Sequence, residues 1–156
     1  MFCGFMSSFS NLRLCGDVLE YAFPTVVGVA DITPDMLSGD YDKAAQKCAI
    51  IVGLILLQNR TTAFLKRLIK KPRPSFPNDL NSFPSGHMMI AAQCATRVFF
   101  AHKGITPKAL AVVCSGIIAL SRYLPGKHDM VDLTAGGLLG SVLGTAWNCL
   151  LTPSNS

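Results

Sequence analysis

Five apolar segments, separated by prolines, glycines and charged residues, constrain the fold of this chain more than any other feature. Each is long enough for an α-helix, and the prolines between positions 72 and 84 exclude one continuous helix from the second segment to the third. We predict a single domain over residues 1–156, an all-α compact bundle of about five to six helices with short connections. The segments are Val18–Ala30, Ala44–Leu57, Met88–Phe100, Ala109–Leu120 and Leu133–Leu151.

The composition favours a membrane environment for this bundle. Hydrophobic residues make up 50 % of the chain and charged residues 15 %, against about 25 % charged in an average soluble domain. We therefore predict a bundle that is mostly membrane-embedded, with a soluble or monotopic helical protein as the alternative. Leu133–Leu151 alone has the length of about 20 residues that spans a bilayer unaided, and its glycines predict close packing against another helix.

Two interruptions are expected in the N-terminal half, at Pro24 and over residues 31–42. Arg97 lies within the third apolar segment, where an arginine is expected to snorkel or to face the bundle interior. The second interruption contains a group of acidic residues without a histidine or cysteine partner, which we predict to lie in a solvated loop. These residues are Asp31, Asp35, Asp40 and Asp42.

The net charge of +5 suits a phosphorylated substrate or an anionic lipid. Nucleic acid is not predicted as a partner, because only 8 % of the residues are aromatic and no basic stripe is interleaved with them. Cysteines, histidines and carboxylates form no cluster with metal-ligand spacing, so neither a metal nor another cofactor is predicted. Nothing in the sequence indicates an oligomeric state.

Polar residues cluster beside the apolar segments in three places. Lys66 and Arg73 are seven residues apart, so within a helix they would share one face. Pro84–His87 directly precedes an apolar segment, where Ser85 is a natural helix cap and the following backbone N–H groups favour an anion.

The third cluster lies between residues 121 and 132. Its His128 and Asp132 are four residues apart, so the carboxylate can hold one ring nitrogen of the histidine and leave the other free. Consecutive helices of a bundle alternate in direction, which brings the three clusters to one end of it. Converging cations, a helix N-terminus and two histidines there would suit phosphoryl transfer, which requires charge neutralisation and positioning.

The clusters match three motifs in order: K-x6-R-P over residues 66–74, P-S-G-H over residues 84–87 and S-R-x5-H-x3-D over residues 121–132. Together they resemble the three-part signature of the phosphatidic acid phosphatase type 2 superfamily. That superfamily includes lipid phosphate phosphatases, soluble bacterial acid phosphatases and vanadium haloperoxidases. Each motif alone is weak, whereas three complete motifs with apolar helices between them are specific.

The resemblance implies a role for each matching residue. His128 would be the nucleophile that forms a phosphohistidine, Asp132 its orienting carboxylate, and His87 the general acid that protonates the leaving oxygen. The remaining residues would form a phosphate clamp whose cations replace a metal. The members of this phosphate clamp are Lys66, Arg73, Ser85, Gly86 and Arg122.

The resemblance and the hydrophobic chain together predict an integral-membrane, metal-independent lipid phosphate phosphatase. Its substrate would carry a phosphomonoester or pyrophosphate on a lipid, of the phosphatidate, phosphatidylglycerol phosphate, undecaprenyl diphosphate or lipid A type. A lipid phosphotransferase, a soluble-type acid phosphatase and a non-enzymatic phospholipid binder or transporter are the alternatives. The family implies a plasma or inner membrane location with the site facing away from the cytoplasm, although the basic residues at that end would favour the cytoplasmic side.

Overall fold

The computed structural model describes the backbone of residues 2–152 and the side chains of residues 10–152. Within that range the chain forms five α-helices and no strand, which confirms the predicted all-α class. A loop over residues 70–85 separates the second helix from the third, as the prolines indicated. The helices are α1 Phe2–Ser38, α2 Tyr41–Ile69, α3 Gly86–Ala101, α4 Ile105–Tyr123 and α5 Met130–Leu151.

The helix ends follow local capping chemistry. Asp40 caps the start of α2 by accepting a hydrogen bond from the backbone N–H of Lys43, and the C-cap residue of α2 is Lys70, which has a left-handed φ of 48°. At α5 the capping is reciprocal, since the side chains of Asp129 and Asp132 each accept from the other residue's backbone N–H. The end of α2 and the start of α5 therefore lie beside the first and third polar clusters.

Packing of α5 against α3 depends on three glycines of α5 spaced four residues apart. A Cβ at Gly140 would overlap the backbone carbonyl oxygen of Met89. A Cβ at Gly136 or Gly144 would likewise overlap the carbonyl oxygen of Ser85 or Gln93, respectively. Only glycine allows two helices to approach so closely. The prediction of close helix packing is therefore confirmed.

The hydrophobic core lies where α1, α2, α4 and α5 meet around α3. Trp147 and Cys94 are fully buried there, and Ile118 is buried nearby on α4. Burial of such side chains stabilises the fold by roughly 1.5–3 kcal/mol each. The core cluster consists of Val27, Ile51, Leu54, Ile90, Cys94, Val98, Ala111, Trp147 and Leu151.

The predicted interruptions of the N-terminal half are wrong in part. Helix α1 continues through Pro24 and Pro34, and the chain leaves the helix only at Gly39 and Asp40 before α2 begins. Proline disfavours a helix interior by about 3 kcal/mol, a cost that tertiary packing can offset. The physical reason lies in contacts that α1 makes with α2 and α3.

Two of the acidic residues predicted for a solvated loop anchor α1 instead. Arg97 faces the bundle interior and forms a bidentate ion pair with Asp31, at 2.9 Å from Nε and 2.6 Å from Nη2. Asn148 of α5 accepts a third hydrogen bond from Arg97 at 2.6 Å. Asp35 is 8 % exposed and pairs with Lys47 of α2. Arg97 thus faces the bundle interior as predicted, whereas its partner Asp31 lies in α1 and not in the predicted solvated loop.

Among the described residues, α2 and α4 are long and apolar enough to cross a membrane, by length and composition alone. Helix α5, which contains the segment predicted to span the membrane, is not one of them. The helices also expose many large apolar side chains, which is typical of a surface that contacts lipid. These exposed side chains include Tyr21, Val26, Leu56, Leu110, Leu138 and Val142.

Candidate active site

The first predicted pair is divided between a helix and a loop. Lys66 lies in the last turn of α2, while Arg73 lies beyond the end of that helix, so the two do not share a helical face. Arg73 is fixed within the loop by Asp79, whose carboxylate is 3.0 Å from Nε and whose carbonyl accepts the Arg73 N–H at 3.0 Å. Lys66 and Arg73 nevertheless lie close enough for electrostatic repulsion between them.

The second cluster forms the start of α3, as predicted. Ser85 is fully buried and caps the helix, its hydroxyl accepting from the N–H of Met88 at 3.4 Å. The N–H of Ser85 donates to the carbonyl of Asp132 at 3.1 Å, which joins the beginning of α3 to the beginning of α5. Gly86 packs against Thr62 of α2, where an added Cβ would lie 3.2 Å from the threonine methyl group.

His87 lies one residue into α3, and its side chain is 23 % exposed. Its Nε2 is 2.6 Å from Oε2 of Glu20 and 3.7 Å from Oδ1 of Asp17, both residues of α1. A carboxylate at 2.6 Å is a charge-assisted hydrogen bond when the imidazole is protonated. The histidine predicted to act as an acid therefore has an acidic partner that the motifs do not contain.

Arg122 is 2 % exposed and lies in the last turn of α4. Its Nη2 contacts Oδ1 of Asp17, the same oxygen that faces His87, so this carboxylate bridges the two residues. The carbonyl of Arg122 accepts hydrogen bonds from the N–H groups of Lys127, at 3.1 Å, and His128, at 3.3 Å. One residue thus supplies a buried guanidinium and shapes the turn that carries His128.

The loop before α3 and the turn before α5 contact each other directly. The N–H of Ser75 donates to the carbonyl of Gly126 at 3.0 Å, and Gly126 has a φ of 66°. A side chain at position 126 would be strained by that φ and would also overlap the Ser75 side chain. This contact holds the loop carrying Arg73 beside the turn carrying His128.

His128 is buried and precedes α5, whose cap is Asp129, so it does not share a helical face with Asp132. The ring is nevertheless turned toward Asp132, with Nδ1 3.7 Å from Oδ2. That distance lies within ion-pair range and outside hydrogen-bonding range. Burial, and then the positive charges of Lys66 and Arg73, lower the pKa of His128, and the Asp132 carboxylate offsets this only in part. The imidazole is therefore neutral at pH 7.

Asp132 is fully buried and has partners that the sequence did not reveal. Lys71 donates to Oδ1 at 2.8 Å, while Ser82 and the N–H of Asp129 donate to Oδ2. Lys71 lies outside the three motifs, and nothing in its spacing relates it to the third of them. A buried carboxylate requires hydrogen-bond donors. The signal in the sequence that could have identified these partners is the presence of a lysine and a serine, outside the motifs, in the loop before α3.

Asp17 and Glu20 were also missed, although they are charged residues at the start of an apolar segment. Such residues in apolar helices usually have a functional or paired role. Together with His87 they bring three possible metal-ligand atoms within 4.8 Å of one another, and no other such group occurs among the described residues. The guanidinium of Arg122 on Asp17 disfavours a cation at this position.

The structure places the eight predicted site residues at or beside the C-terminal ends of α2 and α4 and the N-terminal ends of α3 and α5, where hydrogen bonds or charge effects link them.

The chain matches a known protein family. The model of the PAP2 superfamily matches residues 47–155, which include all three motifs. No solved structure matches the chain significantly. The match supports a phosphatase-type enzyme that acts on a phosphate-bearing substrate. Because the match covers more than half of the chain, this protein belongs to the PAP2 superfamily.

Proposed function

We propose that this protein is an integral-membrane lipid phosphate phosphatase that acts through a phosphohistidine on His128. The observation that carries the proposal is the buried His128, facing Asp132 and close to the positive charges of Lys66 and Arg73. A histidine nucleophile must be neutral, and the lowered pKa of His128 keeps it so. The separation of 3.7 Å from Asp132 would shorten when phosphate binds, as catalytic hydrogen bonds often do.

In the proposed reaction, Nε2 of His128 attacks the phosphorus, and the bond from phosphorus to the ester oxygen breaks as the N–P bond forms. The leaving oxygen takes a proton from His87, which acts as the general acid. Water then attacks the phosphohistidine and gives a proton to His87, which releases inorganic phosphate and regenerates both histidines. Asp132 orients the ring of His128 through Nδ1 and stabilises the positive charge that develops on it.

The phosphate clamp of Lys66, Arg73, Ser85, Gly86 and Arg122 would hold the phosphoryl oxygens. Arg122 supports this role, because its buried Nε has no hydrogen-bond partner among residues 10–152 and is available as a donor. Guanidinium groups and the N–H groups at the start of α3 suit phosphate oxygens geometrically. The clamp supplies positive charge without a metal, so activity should survive treatment with EDTA. Loss of activity on chelation, restored by Mg²⁺, would contradict this part of the proposal.

The apolar exterior supports a substrate carried on a lipid. Helices α2 and α4 are long and apolar enough to span a bilayer, and large apolar side chains are exposed along the bundle. We propose that the protein resides in a plasma or inner membrane with its site facing away from the cytoplasm, as the family implies. Phosphate release from phosphatidate, phosphatidylglycerol phosphate, undecaprenyl diphosphate and lipid A in detergent would identify the substrate.

The decisive test compares the two histidines on a lipid phosphate and on p-nitrophenyl phosphate. His128→Ala should be inactive on both, because the covalent route is lost. His87→Ala should lose roughly 10²–10⁴-fold on the lipid and much less on p-nitrophenyl phosphate, whose phenolate leaves without protonation. Substantial activity of His128→Ala would reject the covalent mechanism. Equal losses on the two substrates in His87→Ala would reject the general-acid role.

A further inference from the structure

Two carboxylates of α1 contact Arg122 and His87, the residues that the proposed function assigns to the substrate phosphate and to its leaving oxygen. Asp17 contacts the guanidinium of Arg122 and lies 3.7 Å from Nε2 of His87, while Glu20 lies 2.6 Å from the same nitrogen. Carboxylate and phosphate oxygens seek the same N–H donors with similar geometry. In this structure the two carboxylates therefore stand in for an anionic substrate.

The position of α1 at this site follows from its sequence. A Cβ at Gly16 would overlap the side chain of Ser121, so a glycine is required for α1 to lie against α4 at this point. Asp17 follows directly and meets Arg122, the neighbour of Ser121. Glu20 is three residues further and therefore lies on the same helical face as Asp17. The contact is thus built into the helix packing.

Asp17 and Glu20 supply part of the negative charge that offsets the cations around the site. Six cations face five carboxylates, and without Asp17 and Glu20 the surplus of positive charge rises from one to three. A phosphomonoester carries about −1.5 to −2 charge at pH 7, so it can replace most of the negative charge that these two carboxylates supply. The cations are Arg13, Lys66, Lys71, Arg73, Arg122 and Lys127, and the carboxylates are Asp17, Glu20, Asp79, Asp129 and Asp132.

We propose that Asp17 and Glu20 are specificity-determining residues that compete with the substrate phosphate for Arg122 and His87, an inference that rests on the proposed function. A substrate must displace both carboxylates, so the phosphate group alone binds weakly. A lipid tail contributes binding energy away from the reacting centre, and that energy can drive the displacement. The carboxylates thereby favour phosphate carried on a large apolar body over inorganic phosphate and small phosphate esters.

The test measures kcat and KM for p-nitrophenyl phosphate and for phosphatidate in mixed micelles, with the inhibition constant of inorganic phosphate. Asp17→Asn keeps the size of the side chain and removes the competing charge. We expect it to lower both the inhibition constant and the KM for p-nitrophenyl phosphate by about tenfold, the effect of removing one like charge at a partly screened distance. The KM for phosphatidate should change less, so the preference for the lipid should fall.

Glu20→Gln provides a second variant and should lower the inhibition constant of phosphate in the same direction. Asp42→Asn is the matched control, because Asp42 is an exposed carboxylate in the first turn of α2, and it should leave all constants unchanged. An unchanged or raised inhibition constant in Asp17→Asn and Glu20→Gln, with the wild type active, would overturn this inference alone. Absence of hydrolysis by the wild type and every variant would overturn the proposed function and this inference with it.

Discussion

Lys71 Nζ lies 2.8 Å from Oδ1 of Asp132, a carboxylate that is fully buried and comes 61 residues later in the chain. The lysine follows the end of α2, while the aspartate belongs to the first turn of α5. Their ion pair joins the loop before α3 to the helix that follows His128. It also supplies the positive charge that a buried carboxylate requires.

Replacement of Lys71 should affect the reaction through Asp132 rather than through substrate binding. In Lys71→Gln the carboxylate loses its cation and its orientation toward His128, so kcat should fall on the order of tenfold while KM changes little. Lys71→Arg should recover part of the loss, because it restores the charge. Lys70→Gln is the control, since Lys70 is an exposed neighbour at the end of α2. A change confined to KM would contradict the positioning role of Lys71.

The stability of the protein should depend on pH through His128. Burial and the nearby cations lower its pKa to about 4, whereas in the unfolded chain it would titrate near its ordinary value of about 6.5. Between these values the unfolded chain binds the additional proton, so this group does not affect the free energy of unfolding above about pH 6.5 and lowers it as the pH falls toward 4.

Thermal unfolding in detergent over this pH range, for wild type and His128→Gln, isolates the effect. The difference in Tm between the two proteins should move against the wild type as the pH falls, because only the wild type gains an unfolded-state proton at this position. A constant difference between pH 4 and pH 7 would show that the pKa of His128 is not lowered in the folded protein.

The ion pair between Asp31 and Arg97 should be a major determinant of stability. Asp31→Ala leaves a buried guanidinium without its counter-ion, which typically costs about 3–5 kcal/mol. The double variant Asp31→Ala with Arg97→Met should be more stable than Asp31→Ala alone, because no charge is left unpaired. Equilibrium unfolding of the three proteins checks this, and equal stability of the single and double variants would refute it.

Two glycines of α5 provide a matched pair for the helix packing. Gly140→Ala places a methyl group on the backbone of α3 and should destabilise the protein by about 1–3 kcal/mol, the usual cost of overpacking. Gly137 has no neighbour nearer than 3.9 Å, so Gly137→Ala should be neutral or stabilise the helix by up to about 1 kcal/mol. Equal unfolding free energies for the two variants would argue against the close approach of α5 to α3.

Local signals were sufficient for the helices and for the positions of the motifs. Apolar length and proline breaks predicted α3, α4 and α5 to within about one turn at each end, and the serine of P-S-G-H predicted the start of α3, because capping depends on residues within one turn. The motif order then predicted that Lys66, Ser85, Arg122 and His128 lie at or beside helix ends on the same side of the bundle. The helices and their caps depend on interactions between neighbours in the chain.

Contacts between distant residues decided the rest. Helix α1 continues through two prolines because Asp31 forms an ion pair with Arg97, 66 residues away, and Asp35 forms one with Lys47. These ion pairs neutralise, inside the bundle, charges that would favour a loop in isolation. Asp17 reaches Arg122 across 105 residues. No periodicity encodes such pairs, since burial and the local dielectric, which determine what an ion pair contributes, exist only once the helices have packed. The sequence determined the helices and the motif residues, and the tertiary structure decided which carboxylates form ion pairs with the buried cations.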